Sequence, residues 1–271
     1  SSDVLQWHSS EYRNPGLVPA GAILVVGSGH SGCQITEELI GAGRKVVHSI
    51  GSTGRLPRRY KGKDIIEWWE MLGLLDLSAQ QLPPGMGRFD AIPQFSTSKD
   101  GNSINLHLLA RNGATLLGHV MNASDNKIAF VPNLHENLEK ADQFERDATA
   151  MIDGFIQANG LDAPAEELQQ YKDGFKQPII YELDLKQEGI NTIIWATGYR
   201  FDYSLLKLPV FEKDRFPMQT NGATTYQGLY FVGLPWMPSQ KSGFLVGVAE
   251  SAKQIANSIF ETYSEISKSR K

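Results

Sequence analysis

The pattern of apolar positions predicts strands and helices that alternate along the chain. A short, continuous apolar run over residues 22–26 (AILVV) is typical of a strand buried on both faces of a parallel sheet. A helical pattern follows over residues 32–41, and residues 44–50 (RKVVHSI) predict the next strand. Together these segments form a βαβ unit, with three glycines at its strand-to-helix junction.

The same periodicity predicts more elements downstream. They are helices at 64–76 and 104–113, a strand at 114–120, a long helix that closes at Gly160, strands at 190–196 and 227–233, and a final helix at 241–260. The face of the final helix that we expect to be buried carries Val246, Ala249, Ala252 and Ile255. This order of elements indicates an α/β fold with a Rossmann-like parallel sheet.

Composition and charge narrow the class of protein. The chain has 271 residues, enough for one large or two moderate domains, and its net charge of −4 gives no indication of a nucleic-acid partner. No apolar run reaches the roughly 18 residues of a membrane span, and the N-terminus lacks the pattern of a secretory signal. A single cysteine, Cys33, excludes an internal disulfide. We therefore expect a cytoplasmic protein that acts on a small-molecule substrate.

The glycines of the βαβ unit follow the spacing G-x-G-x-x-G. In a dinucleotide site the first glycine permits a tight turn, the second lets the pyrophosphate approach the backbone, and the third lets the helix pack closely on the strand. The helix N-terminus adds free N–H groups and a partial positive charge. The motif therefore predicts a dinucleotide site, the alternative being a turn that serves packing alone. The candidate ligands are Gly27, Ser28, Gly29, His30, Ser31 and Gly32.

The residues after the second strand indicate which nucleotide is bound. NAD and FAD sites usually carry Asp or Glu about 20 residues after the glycines, where it holds the ribose 2′-hydroxyl. Here no acid occurs from residue 46 until Asp64, and hydroxyl and guanidinium groups, which bind a 2′-phosphate, stand there instead. The sequence thus predicts NADPH over NADH, the alternative being a basic loop that is simply solvated. The candidates are Ser52, Thr53, Arg55, Arg58 and Arg59, with Ser52 and Arg55 preferred.

Other chemistry finds less support in the sequence. Cys33 lies in the first helical turn after the glycines, where a helix dipole lowers a thiol pKa, but packing is favoured because a disulfide reductase needs two cysteines. The six histidines show no metal-ligand spacing, so no metal site is predicted.

Three segments resemble the flavin-containing monooxygenases in the broad sense, and more closely the bacterial flavoprotein oxidoreductases grouped with them. They are GSGHSG at 27–32, IIWATGYRFD at 193–202 and GLYFVGLPWMPSQKSGFLVGVAESA at 228–252. The resemblance implies an FAD domain built from the two ends of the chain and an NADPH domain inserted between them. It implies that the glycines at 27–32 form the NADPH motif.

The resemblance also implies site residues and domain boundaries. The A-T-G motif at 196–198 would mark the return to the FAD domain, and the N-terminus of the final helix would face the flavin ring. The residues assigned on this basis are Thr197, Gly198, Gly233, Trp236 and Ser242. The implied domains are residues 1–16 (the end of the first FAD segment), 17–198 (NADPH domain) and 199–271 (the C-terminal FAD segment).

Residues 8–12 (HSSEY) resemble the tail of the family motif F-x-G-x-x-x-H-x-x-x-Y/F, but the sequence shows no first glycine motif for FAD. The chain matches about the last two-thirds of a family member, and is expected to be a fragment or a naturally shortened protein. The resemblance implies an NADPH- and FAD-dependent oxidoreductase, monooxygenase-like, in which NADPH reduces FAD and the flavin activates O₂. No catalytic acid or base is assigned. The alternative is an NADPH-binding module without FAD or turnover, paired with a separate FAD-bearing segment or a second copy.

Overall fold

The structure is a computed structural model that describes residues 4–82, 92–95, 97 and 101–269, apart from the side chains of 262 and 265–269. Its strands are β1 (Leu5–His8), β2 (Ala22–Val26), β3 (Val46–Ser49), β4 (Arg59–Tyr60), β5 (Lys63–Asp64), β6 (Thr115–Leu117), β7 (Val120–Ser124), β8 (Lys127–Phe130), β9 (Glu182–Asp184) and β10 (Ile190–Trp195). Its α-helices are α1 (His30–Gly41), α2 (Ile65–Met71), α3 (Leu106–Arg111), α4 (Leu134–Ala158) and α5 (Leu245–Ser269).

A parallel sheet of five strands organises the first unit, in the order β1-β10-β2-β3-β6. The central strand β2 is buried along its whole length, as its continuous apolar run predicts. Ile23 and Val25 pack with Leu39 of α1 on one face, and the alternate residues Leu24 and Val26 pack into a second cluster on the other face. The α/β class and the parallel sheet predicted from the sequence are confirmed.

A three-stranded antiparallel sheet, β7-β8-β9, is an addition that the periodicity did not predict. Asp125 and Asn126 join β7 to β8, and Asp125 has a positive φ of 53°. Asp and Asn favour turns, and this signal is present in the sequence between the two short strands. The sequence gives no local signal for the third strand, β9, because the strand it pairs with, β8, lies more than 50 residues earlier in the chain.

The second unit differs from the prediction at residues 227–233. No strand forms there; Tyr230 makes only an isolated bridge to Ala223. A strand needs a neighbouring strand to pair its N–H and C=O groups, and the described residues of this unit offer isolated bridges alone. The prediction of a strand was therefore wrong.

The buried face of α5 also differs from the prediction. Of the four residues expected to be buried, only Ile255 is, and Val246 is 56% exposed. The buried side instead carries the small residues Gly247 and Ser251. A Cβ at Gly247 would lie 2.1 Å from the Lys241 carbonyl oxygen, so the helix packs there through its backbone. The close approach of the α5 backbone to the Lys241 carbonyl, and not the hydrophobicity of the side chains, determines which face of α5 is buried.

The contacts divide the chain into two units: Ser1–Ile65 with Ala91–Tyr199, and Ile66–Asp90 with Arg200–Lys271. Strand β1 lies in the segment 1–16 that the sequence assigned to an FAD domain, yet it is an edge strand of the five-stranded sheet. The domain boundaries proposed from the resemblance stay a prediction. Within the described ranges no helix combines the length and hydrophobicity that crossing a membrane requires.

Candidate functional site

The order of the sheet points to one edge as the place for a ligand. From β2 the chain moves outward to β3 and β6, whereas β10 and β1 lie on the other side of β2. The strand order therefore reverses between β2 and β10. In open α/β sheets, ligands bind outside the carboxyl ends of the strands at such a switch point.

The glycine turn lies at this switch point, and each glycine has a different surrounding. Gly27 has a φ of 109°, and a Cβ there would lie 2.4 Å from the Ala196 carbonyl oxygen. A Cβ at Gly32 would lie 1.7 Å from the Gly27 carbonyl oxygen. A Cβ at Gly29 would meet none of the surrounding described atoms within 4 Å. Packing thus requires the outer glycines, whereas the space at Gly29 is open, as a pyrophosphate cradle needs.

Helix α1 begins directly at this open space. Gly29 is its N-cap residue, and no side chain caps the helix. The unpaired N–H groups of the first turn and the helix dipole therefore act on the same open space, an arrangement that binds phosphate. His30 is half-buried and Ser31 is exposed.

The A-T-G segment borders the glycine turn. The Ala196 N–H donates to the Val26 carbonyl at 2.8 Å, which continues the pairing of β10 with β2. A Cβ at Gly32 would lie 3.4 Å from the Ala196 Cβ, an ordinary van der Waals contact. Thr197 and Gly198 are exposed just beyond it, and Gly198 has a φ of 85°.

The N-terminal segment joins this edge of the sheet. His8 ends β1, and its Nε2 donates to the Gly198 carbonyl at 3.1 Å. The Tyr12 hydroxyl donates to Glu38 of α1 at 2.9 Å, and burial together with this carboxylate raises the Tyr12 pKa. The two residues that resemble the H-x-x-x-Y motif therefore contact the A-T-G turn and helix α1.

The loop after β3, residues 51–58 (the β3 loop), lies beside the glycine turn. Ser28 joins the two, because its Oγ accepts the Gly51 N–H at 3.1 Å and lies 3.4 Å from the Thr53 hydroxyl. Ser28 itself is buried. Ser52 is exposed and Thr53 is half-buried, so the loop presents hydroxyl groups close to the turn.

Arg55, a preferred candidate for the 2′-phosphate, does not face the open site. Its side chain is 5% exposed and forms ion pairs with Glu145 at 2.6 Å and Asp142 at 3.0 Å. Its Nε also donates to Glu145 at 3.1 Å. Two carboxylates from α4 therefore occupy Nε and Nη2, while Nη1 is buried without a hydrogen-bond partner among the described residues, so in this arrangement Arg55 offers no exposed fork to a phosphate. The interpretation of Arg55 as a direct ligand is corrected on this ground.

Arg58 is better placed than Arg55. Its guanidinium lies 5.8 Å from the centre of the Phe95 ring, and Phe95 packs edge-on against His30 at 4.6 Å. Burial and the charge of Arg58 lower the His30 pKa. Arg58 is half-exposed and is held by Asp64 at 2.7 Å, whereas Arg59 is exposed. Arg58 thus adds positive charge near the first turn of α1.

His48 lies beside the glycine turn, although the G-x-G-x-x-G motif gives no indication of it. It is fully buried on β3, and its Nε2 donates to the Gly27 carbonyl at 2.9 Å. Its Nδ1 has no hydrogen-bond partner among the described residues. Burial lowers the His48 pKa to about 4, so the ring is neutral near pH 7. The only signal in the sequence is a polar residue inside an apolar strand.

Cys33 has the packing role that the sequence favoured. It is buried, its thiol donates to the Ser28 carbonyl at 3.3 Å, and burial raises its pKa to about 12. A thiol with so high a pKa is not a nucleophile near pH 7.

The remaining candidates, Gly233, Trp236 and Ser242, lie in the second unit. Ser242 is buried, and its hydroxyl donates to the Ser239 carbonyl at 2.7 Å. Trp236 has an unusual positive φ of 60°. Gly233 has a φ of 75°, which favours glycine. These residues form tight local turns before α5, which begins at Leu245 and not at the predicted residue 241.

Comparisons with known proteins agree with the resemblance seen in the motifs. The chain is 28% identical over 261 residues to an uncharacterized CzcO-like oxidoreductase of Geobacillus kaustophilus, covering 96% of this chain and 58% of that protein. It is 23% identical over 227 residues to flavin-containing monooxygenase 3 of Oryctolagus cuniculus, covering 83% of this chain and 35% of that protein. No family model matches the chain.

A solved structure supports the fold. The flavin-containing monooxygenase of Stenotrophomonas maltophilia superposes with a TM-score of 0.54 at 12% identity, over 96% of this chain and 55% of that one. The similarity to flavin-containing monooxygenases and related oxidoreductases, predicted from the motifs, is thus confirmed. The chain spans 58% of the length of its bacterial relative.

Proposed function

We propose that this chain carries the NADPH-binding part of a flavin-dependent oxidoreductase. The observation that carries the proposal is the glycine turn at the switch point of the sheet. Its outer glycines are required by packing, whereas Gly29 faces open space at the start of an uncapped helix. No contact within the described protein explains a glycine at position 29, but the approach of a pyrophosphate does.

Different residues around the turn bind different parts of the nucleotide. The backbone of residues 27–32 and the N-terminus of α1 hold the pyrophosphate. Ser52, Thr53, Arg58 and Arg59 hold the 2′-phosphate. No carboxylate stands between residue 46 and Asp64, and Asp64 itself is paired with Arg58 at 2.7 Å.

NADPH, when bound, supplies a hydride for the reduction of a flavin, and the redox chemistry belongs to the cofactors. The chain's own residues bind and orient the nucleotide. Thr197, Gly198, Gly233, Trp236 and Ser242 remain the candidates for the neighbourhood of FAD, on the resemblance alone. The monooxygenase-like outcome and a small-molecule substrate are part of the same proposal.

Nucleotide preference tests the proposal. We expect the wild type to bind NADPH more tightly than NADH in a calorimetric titration. Arg58→Ala removes a phosphate partner and should weaken NADPH binding by about tenfold while leaving NADH within about twofold. Arg59→Ala should act in the same direction.

Arg111→Ala is the matched control, since Arg111 is also half-exposed and paired with an aspartate, Asp173, at 2.7 Å. It should change neither affinity. Equal losses of NADPH and NADH in the Arg58 variant would refute the assignment of the 2′-phosphate. Absence of NADPH binding by the wild type would refute the proposed function.

A second function is a nucleotide-binding module without turnover, supported by the glycine turn at 27–32, where the open space at Gly29 lies at the start of an uncapped helix. The absorption spectrum of the purified protein separates the two. A flavin band with NADPH oxidation supports the enzyme, and colourless protein that binds NADPH supports the module.

A further inference from the structure

The β3 loop is held from two sides. On one side, Ser28 of the glycine turn binds Gly51. On the other side lies the long helix α4, where Asn137 donates from Nδ2 at 3.1 Å to the carbonyl of Ile50, the residue directly before the loop. The loop that carries the candidate phosphate ligands is therefore held in place by the glycine turn on one side and by α4 on the other.

Further along α4, the loop lies against the helix itself. A Cβ at Gly54 would lie 2.8 Å from the ring of Phe144, so the loop backbone contacts that ring closely. Arg55 follows at once and reaches Asp142 and Glu145 on the same helix. Two successive residues of the loop, Gly54 and Arg55, thus contact one turn of α4, residues 142–145.

The ion cluster of Arg55 is buried on every side. The side chains of Arg55, Asp142 and Glu145 are 5%, 1% and 9% exposed. Charges removed from water in this way cost free energy unless their geometry is well defined, so breaking one pair leaves an uncompensated buried charge. The cluster therefore resists displacement of the loop.

Neighbouring groups keep Asp142 ionised. Burial acts to raise its pKa, but the hydrogen bond from His107 and the charge of Arg55 outweigh burial and lower the pKa to about 2. His107 Nε2 lies 3.3 Å from Asp142, and its Nδ1 accepts the Gly174 N–H at 3.0 Å, so the proton is on Nε2. Lys172 adds an ion pair at 3.2 Å. His107 and Lys172 thus hold the Asp142 carboxylate in place independently of Arg55.

We propose that Arg55 is a positioning residue: through Glu145 and Asp142 it fixes the β3 loop so that Ser52 and Thr53 face the 2′-phosphate of NADPH. The inference rests on the proposed function and deepens it. Arg55 sets the preference for NADPH without touching the nucleotide. Helix α4, which carries no sequence motif, then contributes to the preference for NADPH over NADH.

Variants of both partners separate positioning from direct binding. Glu145→Gln lies on α4, outside the turn and the loop, and should still weaken NADPH binding by about tenfold, with a smaller effect on NADH. Arg55→Met should act alike. The double variant Arg55→Met/Glu145→Met should be no worse than Arg55→Met alone, because the two side chains act as one unit.

The control is Glu136→Gln, the same chemical change on the same helix at an exposed residue, 63% accessible and paired with Lys140. It should leave both affinities unchanged. A direct contact between Arg55 and the phosphate predicts a different result, in which Arg55→Met loses NADPH binding and Glu145→Gln keeps it. That result would overturn the inference while leaving the proposed function intact.

Hydrogen exchange without nucleotide keeps the test independent of binding. Loop amides at residues 51–58 should exchange faster in Glu145→Gln than in the wild type, with unchanged exchange in β2. An unchanged loop overturns the inference. A general loss of stability with an unchanged NADPH-to-NADH ratio also overturns it, because the cluster would then serve the fold alone. Failure of the wild type to bind NADPH overturns the proposed function and the inference together.

Discussion

Small residues make the junction of β2, β10 and α1 possible. A Cβ at Gly27 would lie 2.4 Å from the Ala196 carbonyl oxygen, and a Cβ at Gly32 would lie 1.7 Å from the Gly27 carbonyl oxygen. The steric roles of the two glycines were predictable from the motif, since the spacing alone implies them.

The first prediction concerns His48 and acid pH. The folded-state pKa of His48 is lowered from 6.5 to about 4, so the unfolded chain binds the proton more readily. The stability from keeping the ring neutral is present above pH 6.5 and is lost as pH falls through 4. The shift corresponds to roughly 3 kcal/mol. We expect the unfolding free energy of the wild type to fall more steeply over this window than that of His48→Gln.

Denaturant unfolding at a series of pH values measures this difference. His119→Gln is the control, because His119 is exposed on the loop after β6, and its pH profile should match the wild type. Parallel profiles for the wild type and His48→Gln would show that His48 is not the group responsible.

Arg55 shows what a motif cannot reveal. Its residue type and its place after β3 predicted a phosphate ligand, but its partner Glu145 lies 90 residues away in the sequence. No local pattern signals a pairing over that separation. Ser28 is similar: its place in the motif suggests a ligand, whereas its side chain is buried and binds the β3 loop.

At the scale of elements, two glycines in helices have opposite surroundings. A Cβ at Gly247 in α5 would lie 2.1 Å from the Lys241 carbonyl oxygen, whereas a Cβ at Gly154 in α4 would meet no described neighbour within 4 Å. Periodicity treats both as weak points of a helix. Only tertiary contacts distinguish them, which is also why the buried face of α5 was predicted wrongly.

The second prediction follows from this contrast. Gly247→Ala should destabilise the protein by roughly 1–3 kcal/mol, the usual cost of overpacking. The new methyl group would clash with the backbone carbonyl of Lys241, which cannot move aside as a side chain can. Gly154→Ala should stabilise it by about 0.5–1 kcal/mol through helix propensity. Urea unfolding of both variants checks the pair. A stabilising Gly247→Ala would contradict the packing of α5.

At the scale of the whole molecule, the fold class could be predicted and the division of the chain could not. One βαβ unit with a glycine junction was enough to imply a parallel sheet, because β2 is apolar on both faces. Residues 66–90 belong to the second unit although they follow β5 directly in sequence. Such a crossing of the chain leaves no trace in composition or periodicity.

The central claim is that the open space at Gly29 receives the pyrophosphate of NADPH. Calorimetric titration of NADPH into the wild type and into Gly29→Val tests it most directly, with the melting temperature recorded for both. We expect the wild type to bind NADPH and Gly29→Val to lose binding while its melting temperature stays close to that of the wild type, because a Cβ there meets no neighbouring described atom within 4 Å. Equal affinity of the two proteins would contradict this claim.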